Sequence, residues 1–377
     1  MTRAAPTTLR PTSSAEVRDA VLDTPGRLAI TGAGTAAGWA GRLGSGDRPV
    51  DATLDLSGLS GVITHNPGDM TVSVLAGTPV RDLQAELAEH GQRLALDAAR
   101  IRRGATVGGL VATADAGPSA LVYGGMRDLV IGTTTVLADG TMVRSGGHVI
   151  KNVAGYDVAK LLHGSYGTFG VLVEVVLRLH PVPAAVATVA VDGPIEAAAG
   201  LVDEIVRSPL EPIACEWISD GPGRLLVRLE GGTRTLPDRV GRLRELLGDA
   251  AREAGEDVWE THAALTAGPG PESGDAVVRI GCAPARLAPL PAQLPVRAVT
   301  AGLATGVATV TVPAAAVPEV HATVAAANGT SVLRDRPADA DVPAWGPEPS
   351  AMPVFRALKD RLDPDARFAP GRFDPWM

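Results

Sequence analysis

The sequence predicts an α+β protein with two domains. Its 377 residues exceed the length that a single hydrophobic core usually serves. From residue 28 to residue 178 short apolar runs alternate with glycine clusters, and after Pro183 this texture gives way to alanine-rich amphipathic stretches. We therefore expect a first domain over residues 1–183, a smaller α+β domain over residues 184–340, and a separate C-terminal segment over residues 341–377.

In the first domain, residues 27–31 and 70–75 predict strands that run into glycine-rich turns. Thr78 is a plausible N-cap with Pro79 at the first helical position, and the helix that follows should end at Gly91. Residues 131–137 and 141–144 predict a hairpin, because Gly140 supplies the positive φ that the turn needs.

The nearly continuous apolar run at residues 171–179 predicts a buried strand. In the second domain, residues 195–207 and 236–254 are amphipathic and predict helices, and residues 225–230 predict a strand. Residues 354–362 predict a short helix near the C-terminus.

Charge and cysteine content exclude several functional classes. A net charge of −8 without a basic patch disfavours nucleic acid, and no run of about 18 apolar residues predicts a membrane span. Cys215 and Cys282 cannot ligate an iron–sulfur cluster by themselves, so any cluster must lie on another chain. Without an apolar signal segment, the protein is expected to be cytoplasmic.

The first candidate binding motif is the glycine-rich loop at residues 31–38, which follows a predicted strand. Glycines allow backbone N–H groups to close on a phosphate, but the pattern also fits a Rossmann dinucleotide site. Further glycines, among them Gly41 and Gly44, fall where the Rossmann helix would run, and each costs about 0.5–1 kcal/mol there. These glycines therefore argue against a Rossmann site, and we expect the loop to bind phosphate in another kind of fold.

A second glycine-rich turn at residues 103–109 lies some 70 residues further on. Two such turns can supply amide donors to both phosphates of one dinucleotide. The alternative is that Gly108 and Gly109 form a close-packed corner.

Four motifs then follow in one order: residues 105–109 (ATVGG), 123–128 (YGGMRD), 151–157 (KNVAGYD) and 164–171 (GSYGTFGV). In this order they resemble the vanillyl-alcohol-oxidase flavin fold, also called the PCMH-type FAD-binding fold. Residues 146–157 in particular resemble the FAD-binding subunits of bacterial glycolate oxidases. The resemblance extends thinly through the second domain to residues 363–372.

The resemblance implies an FAD-binding domain of two subdomains, a cap domain over the flavin ring, and a C-terminal segment that returns to the FAD domain. Because no His or Cys stands out as an anchor, FAD is expected to bind non-covalently. The implied cofactor-binding residues are Thr31, Gly32, Ala33, Gly34, Thr35, Ala105, Thr106, Gly108, Gly109, Thr113, Ala116, Gly117, Tyr123, Gly124, Arg127, Asp128, Gly170 and Val171.

The sequence departs from the catalytic 2-hydroxyacid dehydrogenases of the superfamily. Ile150 and Ala154 stand where we expect the Arg and Thr that hold a substrate carboxylate, and no metal-binding His motif is present. Lys151 and Tyr156 remain as candidate catalytic residues, although a Tyr-Asp pair before an apolar helix also fits simple packing.

Three functions stay open. The favoured one is the FAD subunit of a glycolate oxidase complex, which oxidises glycolate to glyoxylate and passes electrons to an iron–sulfur subunit. That complex would include a second, larger flavin subunit and deliver electrons to a membrane quinone pool, with this chain itself not inserted. The alternatives are a flavoprotein subunit whose FAD is structural or only relays electrons, and a stand-alone FAD-dependent alcohol oxidase.

Overall fold

The computed structural model describes residues 6–44, 48–149, 157–270 and 272–377. Over the first half of the chain it contains a three-stranded parallel sheet, a five-stranded antiparallel sheet and a two-stranded ribbon. The strands are β1 (Thr7–Leu9), β2 (Leu28–Thr31), β3 (Ala52–Asp55), β4 (Val62–Asn66), β5 (Thr71–Leu75), β6 (Gln92–Arg93), β7 (Val130–Val136), β8 (Met142–Gly146), β9 (Val171–Arg178) and β10 (His180–Pro181).

The parallel sheet has the order β1-β3-β2, and the antiparallel sheet has the order β4-β5-β9-β7-β8. One apolar core lies between the parallel sheet and part of β9, and another lies between the five-stranded sheet and its helices. The helices of this half are α1 (Ser14–Asp23), α2 (Val80–Ala88), α3 (Val107–Ala112), α4 (Ala120–Tyr123), α5 (Met126–Leu129) and α6 (Val158–Leu162).

The second half of the chain forms one antiparallel sheet of eight strands. Its helices are α7 (Ile195–Arg207), α8 (Leu236–Leu247), α9 (Asp257–Ala267), α10 (Pro284–Leu287) and α11 (Val317–Ala326). Its strands are β11 (Ala185–Asp192), β12 (Ala214–Ser219), β13 (Arg224–Gly231), β14 (Arg252–Ala254), β15 (Asp275–Gly281), β16 (Ala298–Gly302), β17 (Val307–Pro313) and β18 (Thr330–Asp335).

This sheet is assembled from two halves of the same topology. The strand order is β14-β11-β13-β12-β16-β17-β15-β18, so each half is a βαββαβ unit and the two join between β12 and β16. No internal repeat is evident in the sequence at these positions, although the two halves share one topology. The α+β fold class is confirmed.

The two faces of the eight-stranded sheet differ in polarity. One face, with α7, α8, α10 and α11, encloses an apolar core of alternate strand residues such as Val227 and Val310. The opposite face carries polar side chains from the intervening positions, including Glu216, Arg279 and Thr309, and is covered by α9 and the first half of the chain. Such alternation follows from the two-residue period of a strand.

The C-terminal segment reaches β2. After helix α12 (Met352–Leu362), Phe368 forms a parallel bridge with Leu28, and both adjoining backbone hydrogen bonds are 2.8 Å long. Lys359 Nζ donates to the carbonyl oxygens of Thr168 and Phe368 and to the Asp363 carboxylate. These contacts bind the segment into the core of the first half.

Two local predictions are wrong. The residue at the N-cap of α2 is Pro79 rather than Thr78, because the Thr78 hydroxyl donates to the Leu75 carbonyl oxygen instead of accepting from a helix amide. Helix α8 ends at Leu247 rather than at residue 254, since Gly248 takes a positive φ of 87° and residues 252–254 form the edge strand β14. The strands predicted at residues 27–31, 70–75, 131–137, 171–179 and 225–230 and the helix at residues 195–207 are confirmed.

Candidate functional site

A cleft with an empty volume of about 960 Å³, part of which is open to solvent, lies between the parallel sheet and the five-stranded sheet, and we call it the cofactor cleft. Its walls come from the end of β2 and the following loop, from α3, from the start of β9 and from the C-terminal segment. The lining residues are Ile30 to Ala37 without a break, Leu43, Leu56, Ala76, Arg100, Thr106, Gly108, Gly109, Ala112, Thr113, Ser165, Tyr166, Gly167, Gly170, Leu172 and Arg372.

The loop after β2 presents its backbone to this cleft. Gly34 has a φ of 71°, and the N–H groups of Ala33, Gly34 and Thr35 donate no hydrogen bond to any residue that the structure describes. At Gly32 a Cβ atom would lie only 2.4 Å from Thr106 Oγ1. Glycine at position 32 is therefore required for the close approach of the two loops. The unpaired amides of residues 33–35 can donate to an anion.

Gly108 has a different role from its neighbour. A Cβ atom there would lie 2.8 Å from the Ala76 Cβ and 3.0 Å from the Ala76 carbonyl oxygen, so Gly108 is in part a packing glycine of the kind the close-packed alternative foresaw. At Gly109 a Cβ would meet only Thr106 Oγ1, at 3.0 Å. Of the pair, Gly109 has the more open space toward the cleft.

A buried ion-pair cluster closes one end of the cleft. Arg100 donates to Asp115 (2.9 Å), Thr35 (3.1 Å) and Thr113 (2.5 Å), and Arg334 of β18 forms a second ion pair with Asp115 at 2.8 Å. Burial opposes ionisation of Asp115, but Arg334 and Arg100 outweigh it and lower the pKa of the carboxyl. Both guanidinium groups lie 4.0 Å from the ring centre of Trp39. The cluster therefore fixes the loop after β2 relative to the eight-stranded sheet.

Tyr166 and Arg372 complete the wall of the cleft. Tyr166 takes a left-handed φ of 51°, which is uncommon for a bulky residue. Burial raises the pKa of its hydroxyl, while burial lowers the pKa of Arg372 to about 10. Arg372 donates to the carbonyl oxygens of Trp39 and Gly41, so it holds the chain just beyond the loop.

The predicted cofactor residues fall into groups. Those that line the cleft are Thr31, Gly32, Ala33, Gly34, Thr35, Thr106, Gly108, Gly109, Thr113 and Gly170. Ala116 and Gly117 line a second cavity, and Ala105 and Val171 are buried in the core nearby. Lys151 and Tyr156, the candidate catalytic residues, lie outside the described residues, as do Ile150 and Ala154.

Tyr123, Gly124, Arg127 and Asp128 do not line the cleft. The Tyr123 hydroxyl donates to Glu230 at 3.0 Å and accepts from Arg93 at 3.0 Å, and Arg93 in turn pairs with Glu230 of β13. Asp128 accepts from the Gly125 amide at 3.0 Å. Tyr123 therefore joins the first half of the chain to the eight-stranded sheet, whereas Asp128 stabilises a local turn.

The second cavity, which we call the inner cavity, has an empty volume of about 540 Å³, part of which is open to solvent. Ala116, Gly117 and Pro118 form one wall, and the polar face of the eight-stranded sheet forms the other. The polar lining residues are Glu216, His262, Thr266, Arg279, Thr300, Thr305, Thr309 and Arg334. These polar lining residues were not identified as a site from the sequence. The one local signal for them was a single polar residue within each of several otherwise apolar strands.

Glu216 and His262 form a buried pair in the inner cavity. His262 Nε2 and Glu216 Oε2 share a hydrogen bond of 3.1 Å, and both residues are about 6% exposed. Burial raises the pKa of the Glu216 carboxyl, and the hydrogen bond from His262 opposes that shift. The pair is suited to accept or hold a proton away from bulk water.

The cofactor cleft fits a dinucleotide such as FAD. Free amides, two arginines and small residues are the groups that recognise a diphosphate and let a planar ring approach the backbone. Among the described residues no group of three or more His, Cys, Asp or Glu is placed to hold a metal ion. No helix in those same ranges is long and apolar enough to cross a membrane.

Comparison with known proteins points to the same cofactor. Residues 5–146 match the family model described as an FAD binding domain. The chain is similar to glycolate oxidase subunit GlcE of Escherichia coli, with 35% identity over 214 residues, which is 56% of this chain and 59% of that protein. It also resembles a mitochondrial cytochrome-type D-lactate dehydrogenase of Saccharomyces cerevisiae (33% identity, 48% of this chain, 31% of that protein).

A third relative is glycolate oxidase subunit GlcD of Bacillus subtilis, with 39% identity over 32% of this chain and 26% of that protein. The chain thus matches from about a quarter to somewhat over half of the length of these relatives. Among solved structures, alkyldihydroxyacetonephosphate synthase superposes with a TM-score of 0.70 at 17% identity, covering 96% of this chain and 75% of that one. At that identity the likeness concerns the fold.

Proposed function

We propose that the protein is an FAD-dependent oxidoreductase that oxidises a small 2-hydroxy acid, since residues 5–146 match the family model described as an FAD binding domain. Glycolate, which yields glyoxylate, is the first candidate substrate. We further propose that FAD binds non-covalently and that the chain works within a glycolate oxidase complex.

The observation that carries the proposal is the cofactor cleft, in which unpaired amides of the loop after β2 face a space large enough for a dinucleotide. The similarity to GlcE supports the 2-hydroxy acid, because that relative is named as a glycolate oxidase subunit. D-lactate dehydrogenases among the relatives support the same substrate class.

When bound, FAD supplies an acceptor for the hydride that leaves the substrate α-carbon. The residues of this chain have separate tasks around it. The amides of Ala33 to Thr35 bind the diphosphate, and Arg100 fixes the loop by holding Thr35 while it also holds Thr113. Tyr166 lines the cleft beside them.

The proposed partners are a second, larger flavin subunit and an iron–sulfur subunit. The two cysteines, Cys215 and Cys282, are too few to ligate a cluster, so electrons from the cofactor need another carrier. A second function, relay of electrons by an FAD that never meets substrate, is favoured by one observation: aliphatic Ile150 and Ala154 replace the expected carboxylate-binding Arg and Thr.

Anaerobic mixing of the purified FAD-loaded chain with glycolate or D-lactate tests the proposal. We expect loss of the flavin's visible absorbance with the chain alone. Bleaching only after the larger partner is added would favour the relay function. Release of FAD by mild acid, with none left on the protein, tests the non-covalent mode. A preparation that retains no flavin after reconstitution would contradict the cofactor assignment itself.

A further inference from the structure

The polar residues of the inner cavity are brought together by strand register across both halves of the eight-stranded sheet. Arg279 of β15 pairs with Thr309 of β17, and Thr309 pairs with Thr300 of β16. Thr300 pairs with Ile218 of β12, two residues from Glu216 on the same face. Because neighbouring strands lie about 4.8 Å apart, Arg279 and β12 are separated by roughly 14 Å across the sheet. The cavity lies over this row.

Arg279 is a cation without a carboxylate partner among the described residues. Among the described residues, the one hydrogen bond of Arg279 runs from Nη1 to the Ala114 carbonyl oxygen, at 3.2 Å. Asp115, the nearest buried carboxylate, is already paired with Arg100 and Arg334. Burial and the neighbouring Arg334 lower the pKa of Arg279 to about 10, so it stays protonated at neutral pH.

Around Asp115, beside the Arg279 end of the inner cavity, positive charge is in surplus. Three guanidinium groups (Arg100, Arg279 and Arg334) surround one carboxylate, Asp115. Burying unpaired charge is costly, and a bound anion would offset that cost. Arg279 and Arg334 both line the cavity, but Arg334 is paired with Asp115, whereas Arg279 has no carboxylate partner among the described residues.

At the other end of the row the chain makes room for the Glu216 carboxylate. Glu216 pairs in register with Gly302 of β16, and a Cβ atom at Gly302 would lie 2.8 Å from Glu216 Oε1. Glycine at this position therefore allows Glu216 to remain in place beside His262. The row thus has an anion-binding group at one end and a proton-accepting pair at the other.

We propose that the inner cavity is the substrate site, in which Arg279 binds the carboxylate of a small 2-hydroxy acid and the Glu216–His262 pair accepts the proton of its hydroxyl group. This inference rests on the proposed function, whose substrate class it shares. It assigns the carboxylate to an arginine of β15 and not to the positions of Ile150 and Ala154.

The substrate O–H bond breaks and its proton passes to the Glu216–His262 pair, while the α-carbon C–H bond breaks and its hydrogen leaves with both electrons to FAD. A C=O bond forms at the α-carbon. The 2-hydroxy acid is oxidised by two electrons to a 2-oxo acid, and the flavin is reduced by the same two electrons.

Binding of oxalate provides a test that does not depend on turnover, because this planar dianion resembles the deprotonated 2-hydroxy acid in charge. Calorimetry and perturbation of the flavin spectrum would be measured on FAD-loaded wild type, Arg279→Met and Arg279→Lys. The matched control is Arg286→Met, since exposed Arg286 also donates to a single carbonyl oxygen, that of Ala327, and lines neither cavity.

We expect Arg279→Met to weaken oxalate binding at least roughly tenfold, as lost charge-assisted hydrogen bonds do. Arg279→Lys should recover part of the affinity, and Arg286→Met should bind like wild type. FAD retention should be unchanged in all three. Equal oxalate affinity in wild type and Arg279→Met, or no oxalate binding to wild type, would overturn the inference.

His262→Gln tests the proton-accepting end. It should leave oxalate affinity unchanged and slow anaerobic flavin reduction by glycolate about a hundredfold. It should also flatten the rise of the wild-type rate with pH. The other titratable or charged groups around the pair are Asp97, Cys215 and, beside Asp97, Arg228. An unchanged rate and pH profile would overturn the role of the pair.

Failure of this inference differs from failure of the proposed function. If glycolate bleaches wild type and Arg279→Met with the same apparent affinity, the 2-hydroxy acid is the substrate and the site is elsewhere. If no 2-hydroxy acid bleaches the wild type while oxalate binds through Arg279, the site stands as an anion site and the proposed function is wrong.

Discussion

The cofactor cleft and the inner cavity both adjoin the Arg100–Asp115–Arg334 cluster, and Ala116 and Gly117, two of the predicted cofactor residues, line the inner cavity. The two cavities are nevertheless built from different parts of the chain. The cleft is formed largely by backbone, in glycine-rich loops whose members are close in sequence. The inner cavity is formed by side chains, one from each of several strands that are far apart in sequence.

This difference determines how each cavity responds to substitution. A backbone site tolerates changes of side chain only where the new group leaves the amides accessible and carries no repelling charge. A side-chain site can lose one interaction while its walls stay in place, so single variants separate binding from chemistry. The predictions below use this contrast, beginning with the cluster that the two cavities share.

Replacing the shared cluster's central arginine should have the largest effect. Arg100→Met leaves Asp115 with one partner and removes the links to Thr35 and Thr113. Breaking a buried ion pair in this way typically costs about 3–5 kcal/mol. Urea unfolding of the variant should show this loss, together with weaker FAD retention.

The control is Arg102→Met, whose exposed side chain lies 3.6 Å from Glu260 and should contribute less than about 1 kcal/mol. If both variants unfold at the same urea concentration, the cluster does not couple the two cavities.

A charge placed in the backbone-built cleft should rank second. Ala33 is exposed on the loop after β2, so Ala33→Glu brings a carboxylate to the diphosphate without burying it. Two charges about 4 Å apart near a surface repel by about 4 kcal/mol, and partial screening should leave roughly a hundredfold loss of FAD affinity. Titration of the FAD-free protein by flavin fluorescence measures it.

The isosteric Ala33→Gln separates charge from size and should retain most of the affinity. Equal weakening by Glu and Gln would mean that the loop does not face phosphate.

Removal of a charge from the inner cavity should instead stabilise the fold. Burial raises the pKa of Glu216 above that of an ordinary glutamate. The protonated Glu216 side chain therefore favours the folded state at a pH below the ordinary pKa, and this contribution is lost as the pH rises through the raised pKa. Glu216→Gln mimics the protonated form, so it should add about 1 kcal/mol at pH 8 and nothing at pH 4.

Thermal unfolding at the two pH values measures this difference. Glu253→Gln on the edge strand β14, where the side chain is 64% exposed, is the control and should show no pH-dependent gain. A stabilisation of Glu216→Gln that is equal at both pH values would contradict the raised pKa.

The smallest effect is expected at the contact that lies outside both cavities. Tyr123→Phe removes the hydroxyl that donates to Glu230, which should lower stability by about 0.5–1 kcal/mol. FAD affinity should not change, since Tyr123 does not line the cofactor cleft. A clear loss of FAD affinity would restore Tyr123 to the cofactor site that its motif suggested.

The contrast between the cavities also explains what the sequence could predict. The loop after β2 could be predicted because Gly34 needs a positive φ and because its neighbours form one continuous motif. Strands such as β9 could be predicted from continuous apolar runs. The end of α8 was missed because the amphipathic pattern continues past Gly248 into the edge strand β14.

The inner cavity could not be predicted from local patterns. Glu216, Thr300 and Arg279 become neighbours only through the strand order β12-β16-β17-β15, in which strands from the two halves of the sheet meet. Tyr123 and Asp128 were assigned to the cofactor by motif alone, whereas their hydrogen bonds depend on Glu230 and on a local turn. Topology, rather than composition, decides such contacts.

The bridge between Phe368 and Leu28 has a consequence for biosynthesis. Strand β2 is made early, but its backbone partner and Arg372, which lines the cofactor cleft, are made more than 300 residues later. Until residues 367–372 have left the ribosome, the loop after β2 lacks one side of its support. We therefore expect the nascent chain to acquire its flavin only after these residues emerge, so that a truncated translation product would remain free of cofactor.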